Sequence, residues 1–180
     1  MYKNKGITMI SLVITIILLL ILAGISIKTG GSIVKRTELE NIKTDMLLIK
    51  VKGKEYVENA NFNLGTSFEK LTDENEKNKR IEMAKSKLKG TEIKSANELD
   101  SKLGITTEKF TQETANLNFY YKLSISDLEE IGITETKQNG EYIIKYNVKE
   151  MTLEIYNTQG FEDGDKTYYS LIELETLQMN

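Results

Sequence analysis

Residues 7–27 have the sequence ITMISLVITIILLLILAGISI, which contains no charged side chain. A helix rises about 1.5 Å per residue, so a helix of this length is roughly 30 Å long and matches the hydrocarbon core of a bilayer. Lys3 and Lys5 precede the run, and basic residues beside a membrane span stay in the cytoplasm. The sequence therefore predicts a single membrane-spanning helix over residues 7–28, with a cytoplasmic N-terminus and an extracellular C-terminal domain.

The composition excludes several kinds of functional site. The 180 residues include no Cys, His, Trp or Pro. Without His and Cys the chain has no imidazole acid–base pair, no thiolate nucleophile and no ordinary zinc site. Carboxylates are numerous, but no pair of them stands out as a catalytic motif, so we expect no enzymatic activity and no cofactor.

The charge of the chain is uneven. It has 24 basic and 27 acidic residues, and residues 1–28 contain three of the lysines and no acid. The remainder therefore has 21 basic and 27 acidic residues, a net charge of −6. Binding to a phosphate backbone requires clustered Lys and Arg. We therefore expect an acidic extracellular domain that does not bind nucleic acid directly.

The sequence KGITMISL, residues 5–12, resembles the leader of type IV prepilins and pseudopilins. In that family a short basic leader ends in Gly, and a membrane prepilin peptidase cuts after it on the cytoplasmic side. The new N-terminal residue is then methylated. The resemblance implies a leader over residues 1–6, cleavage between Gly6 and Ile7, and a mature chain that begins with an uninterrupted apolar helix.

Two residues depart from the family pattern. The first mature residue is usually Phe and here is Ile7; the fifth is usually Glu and here is Ser11. Residues 6–24 also resemble pilin-like proteins of Gram-positive anaerobes that lack this Glu. The resemblance implies partners that include prepilin peptidase, other pilin-like subunits and membrane lipid, and assembly through apolar packing of the helix. The residues expected to form that assembly surface are Ile7, Ile10, Ser11, Val13, Ile14, Ile17 and Gly24.

Other interpretations of the apolar run stay open. A cleaved secretory signal usually has a shorter apolar region followed by a small-x-small site, which is not found here. Hydropathy alone favours an uncleaved signal anchor. It would make the chain a single-pass extracellular binding or adhesion protein, or a membrane-tethered enzyme.

An amphipathic helix is expected after the membrane, within a stalk of residues 29–60. The sequence TGGS at residues 29–32 predicts a kink, a melted turn or a flexible exit from the bilayer, because Gly is about 1 kcal/mol worse than Ala in a helix. Apolar residues then recur at steps of three and four, which predicts a helix over residues 34–60 with one buried stripe. The stripe consists of Leu39, Ile42, Met46, Ile49, Gly53, Tyr56 and Ala60.

Residues 61–180 have the pattern of a small α+β domain. Three capping signals, at Asp73, Ser95 and Ser126, predict helices that stop at Gly90, Gly104 and Gly132 respectively. The first of these helices is expected to extend to Lys89.

Turn and strand signals dominate the end of this domain. Asn139-Gly140 predicts a hairpin that joins strands 133–137 and 141–148. The alternation around Leu153 and Ile155 predicts a further strand with one buried face, and residues 168–177 fit either a last strand or a short helix. The expected fold is α+β: a long N-terminal helix packed on a small antiparallel sheet, which is the architecture the pilin resemblance implies.

One acidic loop and two tyrosine pairs complete the candidates for function. In the sequence EDGD at residues 162–165, Asp163 and Asp165 are candidate calcium ligands, because calcium prefers several oxygen ligands around a tight turn. The full alternating spacing of a calcium loop is missing, which favours a solvated hairpin turn. The pairs Tyr120–Tyr121 and Tyr168–Tyr169 fit either an exposed contact surface or packing within strands.

Overall fold

The computed structural model describes the backbone of residues 9–133 and 140–177, and the side chains of residues 33–133 and 140–177. The chain divides into two compact units, Met1–Glu40 and Asn41–Asn180. Helix α1 (Met9–Leu64) begins in the first unit and ends in the second. The second unit contains every other described helix and strand, and the site described below lies within it.

In the described residues, four further α-helices and five strands follow α1. The helices are α2 (Glu74–Lys85), α3 (Thr107–Ala115), α4 (Ile125–Ile131) and α5 (Leu171–Glu175). The strands are β1 (Thr91–Ile93), β2 (Asn118–Lys122), β3 (Tyr142–Asn147), β4 (Thr152–Asp163) and β5 (Lys166–Ser170). They form one sheet in the order β1-β2-β3-β4-β5, with every neighbouring pair antiparallel. The predicted α+β class and antiparallel sheet are confirmed.

The amphipathic helix is confirmed over residues 34–60 and continues to Leu64. Six members of the predicted stripe are buried, but Tyr56 is half-exposed, and Val57 and Leu64 are buried in addition. The melted turn predicted over residues 29–32 is wrong, because α1 includes these residues. The cost of two helical glycines is small beside the hydrogen bonds that propagate a long helix.

The capping signals place α2 and α4 to within a few residues. Asp73 caps α2 by accepting a hydrogen bond from the Asn75 backbone N–H at 2.9 Å. The helix ends at Lys85, four residues before the predicted end, and Gly90 follows with a φ of 106°. The cap of α4 is Ser124, not Ser126, and forms a capping box with Asp127.

The helix predicted after Ser95 is instead two short 3-10 turns. They cover Ala96–Glu98 and Ser101–Leu103, and Gly104 ends the second with a φ of 64°. The sequence analysis does not predict α3, β1 or β2. Residues 168–177 form both structures considered for them, since β5 ends at Ser170 and α5 begins at Leu171.

The predicted hairpin pairing of strands 133–137 and 141–148 is wrong. The second strand exists as β3, but β2 pairs along one of its edges and β4 along the other. A strand has only two edges, so no third partner fits beside it. Ile133 is not in a strand; its backbone N–H donates to the Leu128 carbonyl at 2.9 Å. The Asn139 turn and residues 134–137 lie outside the described residues.

The sheet has two covered faces, not one. On the helix face, Tyr121, Ile144 and Ile155 lie side by side across β2, β3 and β4, and the end of α1 packs there. The opposite face, called the charged face below, carries Lys145 and Glu154 and is covered by α3 and the 3-10 turns. Successive side chains of a strand point to opposite faces. Neighbouring residues of β3 therefore lie on different faces of the sheet, one under α1 and the next under α3 and the 3-10 turns.

Candidate functional site

The N-terminal processing and assembly residues lie outside the part described in full. Gly6 and Ile7 are outside the described residues altogether. The side chains of Ile10, Ser11, Val13, Ile14, Ile17 and Gly24 are not described, although their backbone belongs to α1. Within the fully described residues, which exclude the predicted span 7–28, no helix has the length and apolar character needed to cross a membrane.

Helix α1 lies close to the sheet at Gly53. A Cβ atom at this position would lie 3.2 Å from Leu153 Cδ2 and 3.7 Å from Tyr146 Cε1. Ile49 and Met46, one and two turns earlier, are fully buried. The missing side chain of Gly53 therefore lets the helix backbone rest on β3 and β4, which explains why a glycine occupies a buried stripe position.

Hydrogen bonds hold the same part of α1 to the sheet. Lys54 Nζ donates to the Met151 carbonyl at 2.7 Å, and Asn61 Nδ2 donates to the Val148 carbonyl at 2.9 Å. Both acceptors lie at the β3–β4 turn, where Met151 has a φ of 53°. These bonds satisfy turn carbonyls that the sheet ladder leaves unpaired.

Asp45 is a third polar contact between α1 and the sheet. Its Oδ2 accepts a hydrogen bond from the Tyr142 hydroxyl at 3.1 Å. Burial raises the pKa of Asp45 above its ordinary value, and the hydrogen bond from Tyr142 offsets part of this rise. Burial also raises the pKa of Tyr142, so its hydroxyl stays protonated as the donor.

The charged face holds a network of five polar side chains. Lys145 Nζ lies 2.8 Å from Glu154 Oε1 and 3.5 Å from Glu113 Oε1. The Tyr120 hydroxyl donates to Glu113, and the Tyr156 hydroxyl donates to Glu154 at 2.5 Å. The Lys145 side chain is only 12% exposed, so α3 and the sheet enclose most of its charge.

The contacts within the network shift the pKa values of Glu154 and Tyr120 in opposite directions. Burial alone would raise the pKa of Glu154, but hydrogen bonds from Lys145 and Tyr156 outweigh it and lower the pKa. Burial raises the pKa of Tyr120, and the hydrogen bond to Glu113 raises it further. The carboxylate is thus held ionised and the phenol neutral. This is a structural arrangement in which each acid has a donor, and no group is left as a free acid or base.

A groove lies on the same unit, away from the network. Its walls are the 3-10 turn Phe68–Lys70, helix α2, the end of α3 and the β3–β4 turn, and its volume is about 720 Å³. Leu117 follows α3 at the base of the groove with a φ of 59°. Such a positive φ is uncommon for a residue other than Gly. It turns the chain sharply from α3 into β2.

The predicted calcium residues lie in a hairpin turn. Asp163 ends β4 and pairs with Lys166 of β5, and Gly164 between them has a φ of 62°. In the described residues no three carboxylates are grouped as metal ligands, at this turn or elsewhere. The hairpin-turn interpretation of residues 162–165 is confirmed.

The two tyrosine pairs have different surroundings. Tyr120 and Tyr121 are buried in β2, and Tyr121 packs edge-on against Tyr146 with ring centroids 5.6 Å apart. Packing within a strand is thus confirmed for this pair. Tyr168 and Tyr169 of β5 are half-exposed.

Sequence analysis missed both the network and the groove. Lys145 is a charged residue inside the run YIIKY at residues 142–146, which is otherwise aromatic and aliphatic, and this interruption is a signal that could have identified the network. The groove is built from four separate segments, so no local pattern marks it. Comparison with known protein families, curated proteins and solved structures found no match.

Proposed function

We propose that this chain is a type IV pilin-like subunit, a structural protein of a pilus-like filament or a pseudopilus. The observation that carries the proposal is the sequence KGITMISL at residues 5–12, in which Lys5 and Gly6 directly precede the uncharged run that begins at Ile7. A basic leader that ends in Gly is the substrate of a prepilin peptidase, whereas an ordinary signal anchor has no need of a small residue at this place.

The fold of the second unit supports the proposal at a coarser level. We call the α+β domain of residues 61–180 the head. A head whose antiparallel sheet packs on the apolar stripe of a long helix is the architecture expected for a pilin. Gly53 and the contacts of Asp45, Lys54 and Asn61 attach the sheet to the helix.

The charge of the leader gives a reason for its removal. The leader carries Lys3 and Lys5, and a charged side chain in the hydrocarbon region costs several kcal/mol. We propose that removal of residues 1–6 licenses the helix to leave the bilayer and pack among the helices of other subunits. Before assembly the subunit is a single-pass membrane protein, with its N-terminus in the cytoplasm and its head outside the cell.

Intact-mass spectrometry of the protein from cells with an active prepilin peptidase tests the proposal. The expected mature chain begins at Ile7, with or without an N-terminal methyl group. The Gly6→Leu variant should keep residues 1–6, because the bulky side chain blocks the peptidase, and the Gly6→Ala control should still be cut. A wild-type chain that retains residues 1–6 would contradict the proposal and favour a signal-anchored binding protein.

A further inference from the structure

The groove beside α2 carries amide groups that the fold leaves unused. Asn78 has no side-chain partner among the described residues. Asn116 Nδ2 donates to the Gln112 carbonyl at 3.0 Å, which leaves its Oδ1 open. Asn147 Oδ1 accepts from the Glu150 backbone N–H at 2.8 Å, which leaves its Nδ2 open. Three amides on three different walls thus offer both donors and acceptors to the same space.

The cations of the groove are already paired. Lys77 Nζ lies 2.6 Å from Glu74 Oε1, and Lys149 Nζ lies 2.6 Å from Glu69 Oε1. Glu150 adds a further carboxylate to the lining. A phosphate or carboxylate ligand would therefore meet no free positive charge and an excess of negative charge.

The groove also has an apolar part and a suitable size. Phe68 and Ile81 line it and are both half-exposed. Its volume of about 720 Å³ falls in the range of roughly 300–1,000 Å³ that is usual for small-molecule sites. A ligand that fills it must present apolar surface to these side chains and neutral hydrogen-bonding groups to the amides.

An extended peptide fits this groove less well than a sugar. An extended peptide that binds by strand addition needs an open sheet edge, and both edges of β3, which leads into the groove wall, are taken by β2 and β4. A hydroxyl both donates and accepts, as an amide does. A sugar ring also has an apolar C–H face that can pack on Phe68.

We propose that this groove binds a short neutral oligosaccharide. The open amide groups of Asn78, Asn116 and Asn147 bond its hydroxyls, and Phe68 packs against a ring face. The site faces the extracellular side if the N-terminal helix spans the membrane as proposed. Binding itself does not depend on removal of residues 1–6.

Saturation-transfer NMR with the full chain in zwitterionic detergent tests the proposal, because such micelles carry no sugar head group. The probes are maltotriose, cellotriose and triacetylchitotriose, each at millimolar concentration. At least one should receive saturation from the protein. Asn78→Ala should weaken that binding about tenfold, the effect of losing one or two hydrogen bonds. Ala115→Trp, which fills the groove from the end of α3, should abolish it.

Asn97→Ala is the matched control, since Asn97 is exposed on a 3-10 turn that does not line the groove. It should bind as the wild type does. Near-ultraviolet circular dichroism of the tyrosines checks that each variant is folded. The proposal is overturned if none of the three sugars binds, or if Ala115→Trp binds as well as the wild type. It is also overturned if the peptide Ala-Lys-Ala-Lys binds instead and Ala115→Trp abolishes that binding.

Discussion

The helix face of the sheet is apolar, whereas the charged face encloses a network of ions. On the helix face, Ile144, Ile155 and Tyr146 are almost fully buried beneath α1. On the charged face, Lys145 lies between two carboxylates, beside apolar neighbours such as Phe110 and Ile143. Apolar packing is non-directional and depends on volume, but a buried ion requires its partner in place.

The two faces therefore hold their covering helices in different ways. On the helix face the fit of volumes sets the distance between α1 and the strands, and Gly53 is a point of close contact. On the charged face the bonds from Tyr120 and Lys145 to Glu113 select one position of α3. The helix face should therefore be sensitive to added volume, and the charged face to a missing partner.

The largest effect is expected from Lys145→Met. The change leaves Glu113 and Glu154 without their cation, and breaking a buried pair costs about 3–5 kcal/mol. The Glu154 side chain is 34% exposed, so solvent screening places the loss near the low end, about 3 kcal/mol. Urea unfolding of the full chain in detergent, followed by tyrosine circular dichroism, measures it.

Lys122→Met is the control for this variant. Lys122 pairs with Glu141 at 3.1 Å, but their side chains are 47% and 58% exposed. Its loss should cost less than about 1 kcal/mol. The deficit of Lys145→Met should also shrink as the pH falls, because protonation removes the unpaired charges of the carboxylates. Equal losses for the two variants, or a deficit independent of pH, would show that the network is not an enclosed ion cluster.

A smaller effect is expected from Gly53→Leu on the helix face. The added side chain would collide with Leu153 and Tyr146, and overpacking costs about 1–3 kcal/mol. Replacement of a helical Gly recovers about 1 kcal/mol, so the net loss should be at most about 2 kcal/mol. Asn59→Leu, on the exposed side of the same helix, should be neutral or slightly stabilising. A stable Gly53→Leu chain would mean that α1 can move off the sheet at little cost.

Local signals predicted the helix face well. The stripe from Leu39 to Ala60 repeats with the helical period, and a period of this kind reports burial directly. The Asp73 cap placed the start of α2, and Gly132 placed the end of α4, because capping is a local interaction. The glycine at position 53 could be placed on the stripe, but its close contact with β4 could not be predicted, since it depends on residues a hundred positions away.

The sequence analysis did not predict β2, α3 or the pairing of the strands, because these features depend on residues far apart in the sequence. Strand β2 has the sequence NFYYK, and its first four residues are buried. Because both its faces are covered, it shows no alternation of polar and apolar residues. Asn139-Gly140 signals a turn, but turn chemistry does not decide which strands pair across a sheet. Helix α3 has one buried residue, Phe110, and thus no apolar period to detect.

The smallest effect is expected from Asp45→Asn, at a carboxylate bonded to Tyr142 of the helix face. Because burial raises the pKa of Asp45 in the folded state, the folded chain binds its proton more tightly than the unfolded chain does. The contribution of Asp45 to stability is thus fully present below its unfolded pKa of about 3.9 and is lost as the pH rises through the folded pKa.

At pH 7 the ionised Asp45 therefore destabilises the fold, whereas Asn is neutral and still accepts the hydrogen bond from Tyr142. Asp45→Asn should be the more stable chain at pH 7, by less than about 1 kcal/mol because the side chain is half-exposed and screened by solvent. The advantage should vanish near pH 3, where Asp45 is protonated in both states. Urea unfolding of the two chains from pH 3 to pH 7 measures the difference. If the variant is less stable at pH 7, the ionised carboxylate strengthens its bond to Tyr142 by more than burial costs it, and the helix face depends on a charge as the opposite face does.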